Sequence, residues 1–163
     1  MEVPFHVFFK KTFYIRLIDY PMRYTAIIIF RNPNKSIGHT LVDMGDDAYT
    51  LGRPHPMIDA TMRRQRILVE GRDPEVAVLL LDFVLGYNAS EDPAGDLVDP
   101  ILLARHSAEA QGGALTIVAS ICGTEADPQD LKVQRKLLED AGVIVFQSSA
   151  RAALFCGELL KPE

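Results

Sequence analysis

No excess of basic residues runs through this sequence: 17 Lys and Arg stand against 22 Asp and Glu, for a formal net charge of −5. Without a basic stripe to neutralise phosphates, nucleic acid is excluded as the main partner. A nucleotide or CoA needs only a local site and is not excluded. Cysteine is scarce as well. With only Cys122 and Cys156, and no secretory signal, reduced thiols in a cytoplasmic compartment are expected. No apolar run approaches the ~20 residues of a membrane helix, so no membrane partner is expected; the closest, Tyr24 to Phe30, is strand-length. A Walker loop, a Gly-x-Gly-x-x-Gly turn and a zinc-like His/Cys spacing are all missing, which removes a stand-alone nucleotide fingerprint and a metal site.

What is present is a chain of 163 residues, 48% apolar and 24% charged, enough for one domain with a real core. Its centre is Glu75 to Asn88. Nine of the ten residues from Val76 to Leu85 are apolar, Asp82 being the exception. Such a run suits a strand buried on both faces of a parallel sheet, although a buried helix reads similarly. Arg72-Asp73-Pro74 before it and Gly86 after it favour the strand. Asp82, in these surroundings, needs a partner or a raised pKa.

Around that strand the chain alternates. Met1 to Ser36 is aromatic and basic, without a helical period and with one short strand candidate, Thr25 to Phe30; it reads as a lead-in of uncertain order to a domain over residues 37–163. Ser36 to Asp47 reads as a polar connection. Pro56 opens a predicted helix to about Leu68, with Met57, Ile58 and Met62 towards the core and Arg63, Arg64 and Arg66 towards water. Later predicted elements are a helix over Leu97–Gln111, a strand over Leu115–Ile121, and a helix over Pro128–Asp140 capped by Asp127. A strand over Val143–Phe146 and a helix over Ala150–Leu160, capped by Ser148 or Ser149, complete the series. Strand–helix alternation of this kind means α/β architecture, a short parallel sheet with helices on both faces.

Parallel strands carry their carboxyl ends to one edge, where open α/β sheets bind ligands. Gly86-Tyr87-Asn88, Gly123-Thr124-Glu125 and Gln147-Ser148-Ser149 are therefore expected to share a rim. Their glycines and hydroxyls are what anion binding through backbone amides needs, and also what ordinary turns and caps need. Gly86, Asn88, Gly123, Thr124, Ser148 and Ser149 are the candidate phosphate contacts, with Arg53 drawing the anion. His55, between Pro54 and Pro56, is a candidate general base, anion ligand or phosphoryl acceptor, with Asp59 to orient it; it can equally be a packing residue at a helix start. Glu125 is the most accessible carboxylate of the rim and the third catalytic candidate. Cys122, at the end of a buried strand, reads as a small apolar residue rather than a nucleophile. His39 and His106 read as exposed.

The motifs Gly-Arg-Pro-His-Pro-Met-Ile-Asp (52–59), Asp73-Pro74-Glu75, Val-Leu-Gly-Tyr (84–87) and Cys-Gly-Thr-Glu-Ala-Asp-Pro-Gln (122–129) occur in order. Together they resemble the FdrA-type acyl-CoA synthetases over roughly Gly38 to Leu160 and, more distantly, the carboxy-terminal ligase domain of the succinyl-CoA ligase α subunit. The resemblance implies a three-layer, flavodoxin-like fold and CoA-thioester formation coupled to ATP or GTP, with phosphate passed through an enzyme-bound histidine. No cofactor is expected within this chain itself. Two departures stand out. The ligases' Gly-His-Ala-Gly loop is replaced by Gly123 to Pro128, which has no histidine, and Met1 to Ser36 does not resemble the CoA-binding Rossmann domain expected upstream. The expectation is thus a detached carboxy-terminal domain, contributing a phosphate or acyl-phosphate site and inactive alone. It would work as a homo-oligomer or with a CoA-binding or carbamoyltransferase subunit. The alternatives are a subunit of an oxamate carbamoyltransferase-type complex handling carbamoyl phosphate, or a non-catalytic oligomerisation domain.

Overall fold

The computed structural model describes residues 13–18, 28–29, 36 and 38–160. In chain order the elements are β1 (Phe13–Ile18), β2 (Ile28–Ile29), β3 (Thr40–Asp43), α1 (Asp47–Thr50), α2 (Thr61–Glu70), β4 (Val76–Val84), α3 (Gly95–Ala110), β5 (Thr116–Cys122), α4 (Leu131–Asp140), β6 (Ile144–Phe146) and α5 (Ser149–Leu159).

The apolar run at Val76 is the strand its composition demands. In β4, Val78, Leu79, Leu80, Leu81 and Phe83 are at most 6% exposed, so both faces are covered. Leu79, Leu81 and Phe83 join Ile117, Ala119 and Ile121 of β5 in one core with Ile67 of α2, Leu97, Ile101 and Ala104 of α3 and Leu138 of α4. Val78, Leu80 and Val118 point the other way, onto Ala152 and Cys156 of α5. Burial there pushes the Cys156 thiol up to about 12. The result is the expected three-layer α/β arrangement. β4, β5 and β6 pair in parallel, with Val84 opposite Cys122 and Ser120 opposite Phe146.

The sheet is wider than the sequence suggested. Its order is β2-β3-β1-β4-β5-β6, with β1 antiparallel to both β3 and β4 and β2 parallel to β3. Ile28–Ile29 falls within the strand candidate Thr25 to Phe30, whose other residues, like His6, lie outside the described set. β1 had no counterpart among the expectations. Thr40–Asp43 is a strand rather than a connection, because Thr40 and Val42 are 0% exposed while Leu41 and Asp43 are half-buried, an alternation too short to read.

Several local expectations also change. The helix after Pro56 begins at Thr61, since Pro56 to Ala60 forms turns, and Ile58 is left 55% exposed. α4 begins at Leu131, and Asp130 caps it in place of Asp127, its carboxylate accepting from the Lys132 and Val133 amides. Ser148 caps α5, its hydroxyl accepting from the Arg151 amide. His39 is buried and Cys122 exposed, opposite to the expectation for each, whereas His106 is exposed as expected.

Arg63 and Arg66 are buried rather than solvated, because each finds compensation inside. The Arg63 guanidinium donates to the Asp82 carbonyl, lies 3.8 Å from the Asp82 carboxylate and rests 5.1 Å above the Phe83 ring. Asp82 thus obtains the partner its position requires. Arg66 pairs with Glu70 at 2.8 Å, and Ser36 Oγ donates to Glu70 at 2.6 Å. Among the described residues, no helix is long and apolar enough to cross a membrane.

Candidate functional site

Parallel pairing of β4, β5 and β6 places Gly86–Asn88, Gly123–Thr124 and Gln147–Ser149 past the same edge of the sheet. β3 shares the direction of β4, because both run antiparallel to β1. Asp43 to Asp46 therefore belongs to this rim too, a fourth tip that the sequence reading did not include.

The β4 and β5 tips are tied to each other. Gln129, buried, accepts from the Gly86 amide at 2.9 Å and donates to the carbonyls of Gly86 at 2.8 Å and Ser90 at 3.0 Å. Gly86 holds φ 131°, open to glycine alone at little cost, and exposed Asn88 follows at φ 68°. Asp127 Oδ2 accepts from the Thr124 amide at 2.5 Å and from its hydroxyl at 3.2 Å. Gly123 lies against Leu85, where a Cβ would come within 2.7 Å of the leucine side chain. Glu125 forms a solvated pair with Lys132 at 3.0 Å, and that hydrogen bond and charge raise the lysine's pKa. The amides of Gly86 and Thr124 thus already have internal acceptors, while Ser148 is occupied as a cap and Ser149 lies in the first turn of α5.

The segment from Arg53 to Asp59 forms the other end of the rim. Its link to the β4 tip is the Ser90 amide, donating to the Met57 carbonyl at 2.8 Å. The Ile58 and Asp59 amides donate to the His55 carbonyl at 2.8 and 3.1 Å, closing a turn around the histidine. The Met57 amide donates to His55 Nδ1 at 3.2 Å. An acceptor at Nδ1 means that the neutral ring carries its proton on Nε2, which is then a donor. That nitrogen faces the β3 tip: a Cβ built on Gly45 would lie 2.8 Å from His55 Nε2 and 3.2 Å from Asp43 Oδ1. Arg53, exposed, extends along Met62, with Nη1 3.0 Å from the sulfur. Asp59 is turned to Thr61, accepting from its amide at 2.8 Å; hydrogen bonding to Thr61 lowers its pKa. Tyr49 of α1 is only 3% exposed, its hydroxyl has no hydrogen-bond partner among the described residues, and burial pushes its pKa up.

Between the two ends is a small cleft lined by Pro56, Met57, Arg63, Val84, Ser90 and Asp96, enclosing ≈ 10 Å³. That is room for about one water. Neither CoA nor a nucleoside triphosphate fits there, and no chemical step through them can be derived from this cleft. Among the described residues, no group of three or more His, Cys, Asp or Glu side chains could hold a metal ion. Arg63, Gln129, Asp43 and Gly45 shape the site without having been candidates. Only the Gly between Asp43 and Asp46 offered a local signal; the others depend on tertiary contacts.

A family described as CoA-ligase matches residues 22–159. The uncharacterized protein YahF of Escherichia coli (strain K12) is 47% identical over 127 residues, 78% of this chain. The chain spans about a quarter of the length of that curated relative, the matched part being 25% of it.

Proposed function

The chain belongs to the CoA-ligase family, and from that premise we propose that it is a succinyl-CoA ligase-like domain of an FdrA-type acyl-CoA synthetase. In this reading the carboxyl rim of the sheet receives a phosphate or acyl-phosphate group. CoA and ATP or GTP, which do not fit the water-sized cleft beside the rim, would be brought by a partner domain or subunit. The observation that carries the proposal is the orientation of His55 at the β3 end of the rim, with Nδ1 held by the Met57 amide and Nε2 directed toward Gly45 and Asp43.

The roles follow from the groups. His55 donates from Nε2 to an anionic oxygen, Nδ1 being engaged as an acceptor by the Met57 amide. Arg53 is long and exposed, so leaving the Met62 sulfur for an incoming anion breaks only one weak contact. Asp59 closes the turn that carries His55 through its backbone amide, while its carboxylate is engaged by the Thr61 amide. Asn88, Ser148 and Ser149 line the same edge, and Glu125 offers a carboxylate to a proton in transit.

The test is to purify the chain with the products of neighbouring genes and assay CoA-thioester formation and carbamoyl transfer, each with its phosphate donor. The assembled complex should form the thioester. His55→Ala should slow it by about 10²-fold or more, the scale of a lost proton-transfer or charge-stabilising group. A His55→Ala, Arg53→Ala double variant turning over at the parental rate would remove the site assignment. Inactivity of every reconstituted complex would favour a non-catalytic oligomerisation domain.

A further inference from the structure

We propose that Gly45, held by Asp43, is the residue that positions the His55 imidazole on the rim. The functional consequence rests on the reading above; the placement itself does not.

Two sets of hydrogen bonds fix the root of His55. The Ile58 and Asp59 amides hold its carbonyl, and the Met57 amide holds Nδ1. These decide which nitrogen leads, but the leading edge still rests on something. That edge lies against position 45, where glycine leaves the space of a Cβ open. The three atoms nearest a Cβ built there are His55 Nε2 at 2.8 Å, Asp43 Oδ1 at 3.2 Å and His55 Cε1 at 3.6 Å.

Other reasons for a glycine do not apply here. Gly45 is not among the residues with positive φ, unlike Gly38, Gly52 and Gly86, so the turn does not demand it. Nor does backbone packing, as it does at Gly71, where a Cβ would lie 2.5 Å from Ala104 Cα. The space a side chain would take at position 45 is occupied by the ends of two side chains. Asp43 Oδ1 accepts from the Gly45 amide at 2.9 Å, which sets the plane of that peptide. Asp43 closes β3 opposite Phe13. Position therefore passes from the sheet to Asp43, to Gly45 and to the imidazole.

The decisive variant is Gly45→Ala, which introduces no backbone strain and meets only movable atoms. The chain has four histidines, so ring ¹H–¹³C spectra, with His55→Ala to assign the peak, report on this one directly. Gly45→Ala should displace the His55 ring resonances while those of His106 stay in place and the unfolding midpoint is retained. Inorganic phosphate, the probe, should then perturb His55 with an apparent affinity lower by about tenfold to a hundredfold, the scale of an ångström-sized misplacement. Asp43→Ala should act in the same direction, and Asp43→Asn, which keeps Oδ1, should restore the parental ring position. If Gly45→Ala leaves the His55 resonances at their parental positions, the inference is overturned. Phosphate leaving the parental His55 untouched would instead remove the anion reading of the site, and the ring-shift comparison would still decide the role of Gly45.

Discussion

At the β4–β5 end of the rim, Gln129 takes up both backbone groups of Gly86 and Asp127 takes up the amide and hydroxyl of Thr124. At the β3 end, His55 Nδ1 is held by a backbone amide and Nε2 faces Gly45 and Asp43. Both ends have small residues and exposed polar groups, and both lie past the same strand ends. They differ in where the hydrogen-bonding capacity goes. At the first it is consumed in joining two loops; at the second it orients one side-chain ring. A glycine-rich tip is therefore insufficient evidence of an anion site, because the same amides can serve the turn itself.

The largest blow to this contrast comes from below both ends. Arg63→Ala should destabilise the domain by about 4 kcal/mol, the scale for removing one member of a buried ion pair, since it strips Asp82 of its guanidinium and Phe83 of its cation. Urea unfolding measures the loss, and a change under about 1 kcal/mol would mean that burial of Arg63 is not compensated as described. Gln129→Ala should cost somewhat less, about 2–3 kcal/mol, by leaving the Gly86 amide and two carbonyls without their side-chain partner. It should leave phosphate binding at His55 unchanged, which separates the structural end of the rim from the ligand end. Smallest of all should be the effect of His55→Ala on stability, within about 0.5 kcal/mol, despite its effect on turnover.

The parallel half of the fold was legible because its signals are local: the apolar run of β4, broken by Asp82 alone, the Gly112-Gly113 stop after α3 and the serine cap of α5. β1 was not, since Phe13–Ile18 is a strand by virtue of pairing with β4 and β3 on its two sides. The arginines of α2 misled for a related reason. Charge on a helix usually means a wet face, and nothing near Arg63 in sequence announces Asp82, 19 residues on. At the site, His55 drew notice by its flanking prolines, whereas Gly45 and Asp43 acquire meaning only when the β3 tip is brought against it. The glycine and hydroxyl tips were found in the right place. The partners that occupy them, Gln129 and Asp127, could not be told from ordinary loop residues.

The most direct test is a map of backbone amide shifts across the rim as inorganic phosphate is added to the intact chain. The perturbed amides should cluster at Asp43–Asp46 and Arg53–Asp59, with Gly86 and Thr124 nearly still. Shifts concentrated instead at Gly86–Asn88 and Gly123–Thr124, with the His55 segment unmoved, would contradict the site assignment.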